Sequence, residues 1–98
     1  MAQFDVYVLA DGGLVLDCQG DRFDQIGTRF TVPLVPPGDA PPVDARLNPR
    51  FELDGEPLVM VTQFATALRA SELRGRVGSL AAERYRVIGA IDVLLGGG

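Results

Sequence analysis

The 98 residues suffice for one small domain, and a composition 47% apolar and 22% charged is that of a folded chain, not a disordered one. A net charge of −4 argues against a direct nucleic-acid binder, since the nine cations, all arginine, are scattered along the chain. Histidine is absent, which removes histidine triads, histidine general bases and histidine-bearing zinc sites.

The one cysteine, Cys18, cannot form an intramolecular disulfide, which suits a reducing cytoplasm. Its neighbours Leu16, Asp17 and Gln19 mark it as a small strand residue, not a reactive thiol. The opening "MAQFDVYVLADG" has no basic leader region and reads as a strand. No apolar run approaches the roughly 18 residues that span a bilayer, so no membrane partner is expected.

In chain order, Gln3 to Leu9 alternates with period two, placing Phe4, Val6 and Val8 on one side and Asp5 and Tyr7 on the other. Asp11-Gly12-Gly13 is a hairpin-type turn leading to a partner strand over Leu14 to Gln19. The polar, glycine-bounded stretch Gly20 to Thr28 reads as a loop, and Arg29 to Val35 as a third strand. Pro33 inside that strand lacks a donor, which points to an edge or a bulge. Pro36 to Pro49 holds five of the seven prolines and is a stiff extended loop within a single domain spanning residues 1–98. Arg50 to Gln63 is the clearest hairpin, turning at Asp54-Gly55. From Phe64 to Ser79 the spacing fits either a turn of helix or an irregular edge strand.

At the C-terminus Leu80, Val87, Ile88, Ile91, Leu94 and Leu95 recur at three and four, with Glu83, Arg86 and Asp92 off the stripe. Ser79 is the expected N-cap, Glu83 suits the first turn, and Gly96 stands where a helix C′ glycine belongs. Gly97 and Gly98 are then expected to fray. Gly89 within the helix costs about 1 kcal/mol relative to alanine, which points to a close approach there. The architecture expected is an antiparallel sheet of about five strands closed by one C-terminal helix.

No P-loop or Rossmann spacing is present, and no cofactor is implied. Asp21 and Asp24 share a loop at i, i+3 and could touch a cation, but a solvated polar loop is the better account of them. No spaced carboxylate pair calls for acid–base catalysis.

Taken together, "QFDVYVL", "LDCQGDRFD", "RFTVPLV", "LNP", "VT" and "VIGAIDVLL" resemble, in order, the CcdB family of bacterial toxins. The second segment is similar to the family's V-D-V-Q-S-D strand end. The resemblance covers nearly the whole chain, the proline loop being shorter and different. It implies a mostly β fold, an SH3-like antiparallel barrel with one C-terminal α-helix, found as a two-fold homodimer. It also implies a toxin that is not an enzyme. Such a toxin poisons DNA gyrase by binding its A subunit, and a CcdA-type antitoxin neutralises it.

Toxic members end in Trp-Gly-Ile, and alignment through "AIDVLL" places these residues on Gly96, Gly97 and Gly98. The resemblance makes that tryptophan a contact to a gyrase arginine. Such anchors are worth about 2–4 kcal/mol on truncation, so the low end alone is roughly thirtyfold per protomer. The family's two gyrase-facing isoleucines fall on Arg22 and Phe23, its helix asparagine on Asp92 and a phenylalanine on Leu95. Phe23 is thus a candidate replacement anchor. The alternatives are a CcdB-like protein that binds antitoxin without poisoning gyrase, and an endoribonuclease of the MazF type, which shares the barrel. The candidates for the latter are Arg29 and Thr62, which otherwise read as ordinary strand residues.

Overall fold

The computed structural model describes residues 1–42 and 44–97. Among these residues seven strands form one antiparallel sheet: β1 (Asp5–Val8), β2 (Leu14–Asp17), β3 (Thr28–Val35), β4 (Arg50–Leu53), β5 (Glu56–Met60), β6 (Thr66–Arg69) and β7 (Gly75–Ser79). One α-helix, α1 (Arg84–Leu94), closes the chain. The strand order is β4-β5-β3-β2-β1-β7, with β6 paired to β3.

Both foreseen hairpins are present. Gly12 has φ +88°, and Gly13 N donates to Asp11 Oδ1 at 2.8 Å, which sets the register Val8 to Leu14. Asp54 and Gly55 have φ of +51° and +81°, the paired left-handed residues that match a turn to the twist of its strands. The count of five strands falls short because the ambiguous segment supplies two more, β6 and β7. Each has a single sheet neighbour and shows solvent most of its side chains, so neither carries the apolar alternation that marks a buried strand.

Pro33 lies in a central strand, not at an edge. Along its far side β3 is paired first with β6, through Thr31, and then with β5, from Leu34. Pro33 falls at the changeover, and its carbonyl accepts from Val61 N at 2.9 Å. A residue's N–H and C=O point to the same side of a strand, so the missing donor faces the changeover and removes no ladder bond to β2.

The sheet curls into a half-barrel of SH3-like form. Its two ends, β4 and β7, come together where Leu53 packs on Gly78: a Cβ on Gly78 would lie 2.5 Å from Leu53 Cδ1. The absence of a side chain there lets the sheet close. Inside lies the main core, built on Val6, Leu16, Val32, Leu34, Phe51 and Met60, with Leu80, Val87 and Ala90 covering it. The other face carries a smaller cluster of Tyr7, Val15 and Leu73. Phe4 has φ +71°, uncommon for an aromatic. It is held there by bonds from its N–H to Asp17 O (2.6 Å) and from Leu80 N to its carbonyl (2.8 Å).

The helix begins later than its apolar pattern suggests. Ser79 Oγ accepts from Ala81 N at 3.1 Å, just ahead of a 3-10 turn, Ala81–Glu83, and does not cap α1 itself, whose N-cap position is Glu83. Of the apolar stripe, Leu80 and Val87 are buried, and Ile88 and Ile91 half-buried. Leu94 and Leu95 are exposed, and Ala90 fills the core in their place. Among the described residues no helix is long and apolar enough to cross a membrane.

Candidate functional site

The residues marked by the family resemblance fall into two groups. The first is the loop after β2. A 3-10 turn, Asp21–Phe23, is fixed at its start by Gln3 N donating to Asp21 Oδ1 (2.7 Å). Gln19 fixes its end: its Nε2 donates to Phe23 O (2.8 Å), while its Oε1 accepts from Phe30 N (3.0 Å). The Arg22 guanidinium sits 5.2 Å from the Phe23 ring centroid. That contact holds the ring at the surface, where 49% of Phe23 is exposed. Ile26, whose N–H bonds to Phe23 O, and Phe30 are exposed beside it at 52% and 42%. Ile26 and Phe30 had no motif to mark them; their signal was only an apolar residue in a polar loop and one in a strand.

The second group is the end of α1. Gly96 has φ +88°, and its N–H donates to Val93 O (3.1 Å), while Gly97 N donates to Asp92 O (2.8 Å). This pair of bonds is a Schellman cap with Gly96 at C′, as its position in the sequence implied. Gly97 is part of the cap and does not fray, which corrects the expectation for it. Gly98 lies outside the described residues. Asp92 is exposed, and Leu95, at 78% exposure, presents the largest apolar side chain of the group.

Among the described residues no hydrogen bond, ion pair or ring contact joins this helix end to the Phe23 loop. Asp21 spends one carboxylate oxygen on Gln3, and no three potential metal ligands come together among the described residues.

Arg29 and Thr62, the candidates for RNA cleavage, are both wholly buried. Arg29 is paired with Asp17, and Thr62 Oγ1 donates to Leu47 O, tying the proline-rich loop to the end of β5. Neither faces a groove that a nucleic acid could enter, because each is consumed by the packing that holds the sheet. Cys18 is enclosed too, and burial together with the Asp17 charge pushes its thiol up to about 12, the reverse of an activated nucleophile.

No curated protein matches the chain. A family model described as CcdB protein, however, matches residues 3–97. With the match covering all but the ends of a curled β half-barrel that carries one C-terminal helix, the chain belongs to the CcdB family of toxin–antitoxin toxins.

Proposed function

We propose that this chain is the toxin of a type II toxin–antitoxin pair, acting in the cytoplasm as a homodimer. It poisons DNA gyrase by binding the A subunit, and a CcdA-type antitoxin neutralises it. It works by occupying a protein surface and not by catalysis. The Phe23 loop carries the gyrase contact in place of the C-terminal tail. The observation behind this reading is the half-exposed Phe23 ring, backed by Arg22, at the place aligned with the family's gyrase-facing isoleucines. Aromatic anchors of this kind dominate protein interfaces. The tail supports the same view: Gly96 and Gly97 offer no side chain and are folded back on the helix.

The test is a gyrase supercoiling and DNA-cleavage assay with the purified chain, Phe23→Ala, and a Gly96→Trp/Gly98→Ile variant. Cleavage trapped by the parent and lost in Phe23→Ala supports the reading. A second reading is a homologue that binds antitoxin but has given up gyrase, and the missing aromatic at Gly96 favours it. Under that reading the parent is silent in the assay, and only the variant with the restored tail acts.

A further inference from the structure

The ladder between β2 and β3 ends on the pair Cys18 and Phe30, and its last rung is half backbone. Cys18 N donates to Phe30 O at 2.8 Å. Two side-chain amides supply the other half. Phe30 N donates to Gln19 Oε1 (3.0 Å), and Cys18 O accepts from Gln3 Nε2 (3.1 Å). Beyond this rung the chain leaves the sheet into the Phe23 loop.

The Gln19 amide also reaches into that loop. Its Nε2 donates to Phe23 O at 2.8 Å, and the same carbonyl accepts from Ile26 N at 3.2 Å. One half-buried side chain thus ties together the backbone of Phe23, Ile26 and Phe30. All three carry large apolar side chains that are exposed, and none of them belongs to either buried cluster. The clamp therefore orders a surface and not the interior.

The chemistry demanded at position 19 is narrow. The geometry needs a donor and an acceptor on one planar group, two methylenes from the backbone, and glutamine supplies both. A glutamate keeps the acceptor toward Phe30 N but turns a second oxygen on Phe23 O. An asparagine carries the same group one methylene short. An apolar surface held in place before binding avoids the ordering cost that a loose loop meets on association.

We propose that Gln19 is the positioning residue of the Phe23 loop. It holds Phe23, Ile26 and Phe30 as one preformed apolar platform, and the gyrase contact spans all three. Ile26 and Phe30 widen that contact beyond the positions marked by alignment. This inference rests on the gyrase reading above.

The experiment is calorimetric titration of the full chain with purified gyrase A subunit, with a thermal melt of every variant. Gln19→Glu and Gln19→Met keep the side-chain length and lose the bond to Phe23 O. Each is expected to stay folded at the assay temperature and to bind about tenfold more weakly, equivalent to ~1.4 kcal/mol. Gln19→Met adds no charge, so it decides the matter should Gln19→Glu fail to fold. Ile26→Ser and Phe30→Thr leave the clamp in place and should each weaken binding severalfold. The readout that separates positioning from plain stability is a double variant. In a Phe23→Ala chain the Gln19→Glu change should cost much less, because the main residue it positions is gone. An undiminished cost in that background, or parent-like binding by both Gln19 variants, overturns the positioning role and leaves the gyrase reading standing. Parent-like binding by both Ile26→Ser and Phe30→Thr confines the contact to Phe23 and overturns the platform. If the parent itself does not bind, the gyrase reading and this proposal fall together.

Discussion

Arg29 and Asp17 meet inside the sheet, with Nη2 at 2.8 Å and Nε at 2.9 Å from the same carboxylate oxygen, and neither side chain is exposed at all. The other Asp17 oxygen accepts from Gln19 N at 3.1 Å, while Arg29 Nη1 is buried without a partner. An enclosed pair of this kind is held together chiefly by the penalty for breaking it. Removing one member strands a charge in a low-dielectric interior. Arg29→Ala or Asp17→Ala is therefore expected to destabilise the fold by about 3–5 kcal/mol in urea denaturation. Replacing both, as Arg29→Met/Asp17→Leu, should recover most of that loss. A double variant no better than the singles would mean the pair is a net stabiliser in its own right.

Cys18 gives the alkaline limb of stability a definite sign. Its thiol is raised to about 12 in the folded chain by burial first and by the Asp17 charge second. An unfolded thiol titrates near about 8.5. The unfolded state therefore loses its proton first as pH rises. The contribution to stability is full below about 8.5 and is lost progressively up to about 12. Tyr7, raised by burial and then by Asp5 and Asp17, acts in the same direction above its ordinary value. Denaturation midpoints measured from pH 8 upward should fall, and Cys18→Ala should flatten the fall. The thiol should also resist alkylation at pH 8 until denaturant is added; rapid labelling of the native chain would contradict its enclosure.

The cap on α1 should be sensitive at Gly96. Its φ of +88° belongs to the left-handed region, although a Cβ would have open space around it. Gly96→Ala is thus expected to lose roughly 1 kcal/mol from backbone strain alone. A side chain on Gly97 would crowd Asp92 O at 3.2 Å, so Gly97→Ala should also loosen the cap. Amide exchange at Gly96 and Gly97 reads this directly, since both N–H groups are bonded in the parent.

Closure of the half-barrel depends on Gly78. Its missing side chain admits Leu53 from the opposite end of the sheet. Gly78→Val should destabilise by about 1–3 kcal/mol through overpacking. Gly78→Val combined with Leu53→Ala should be milder than the sum of the two. Strict additivity in thermal melts would show that the two ends of the sheet do not press on each other.

Several features were legible because their causes are local. Asp11-Gly12-Gly13 and Asp54-Gly55 announce their turns, since few other residues adopt positive φ so cheaply. Gly96 announces the end of α1 for the same reason. Phe23 is marked only by its alignment with the family's gyrase-facing isoleucines, and the structure leaves its ring half-exposed against Arg22. The start of the helix was harder to place, because a 3-10 turn, Ala81–Glu83, intervenes between Ser79 and α1.

The sequence alone determined the hairpins, the C-terminal helix, its glycine cap and a mostly β fold, all of which follow from steric preference and from apolar period two or three-to-four. Tertiary structure decided what depends on residues far apart in the chain. It drew Arg29 onto Asp17, brought Gly78 under Leu53, and made edge strands of Thr66–Arg69 and Gly75–Ser79 that their own pattern leaves undecided. It also set Pro49 and Gly89 on one cleft, where the close approach expected at Gly89 is not made: a Cβ there would meet no atom within 4 Å. No local propensity encodes such meetings, because they arise from the closure of the whole sheet and the docking of the helix upon it.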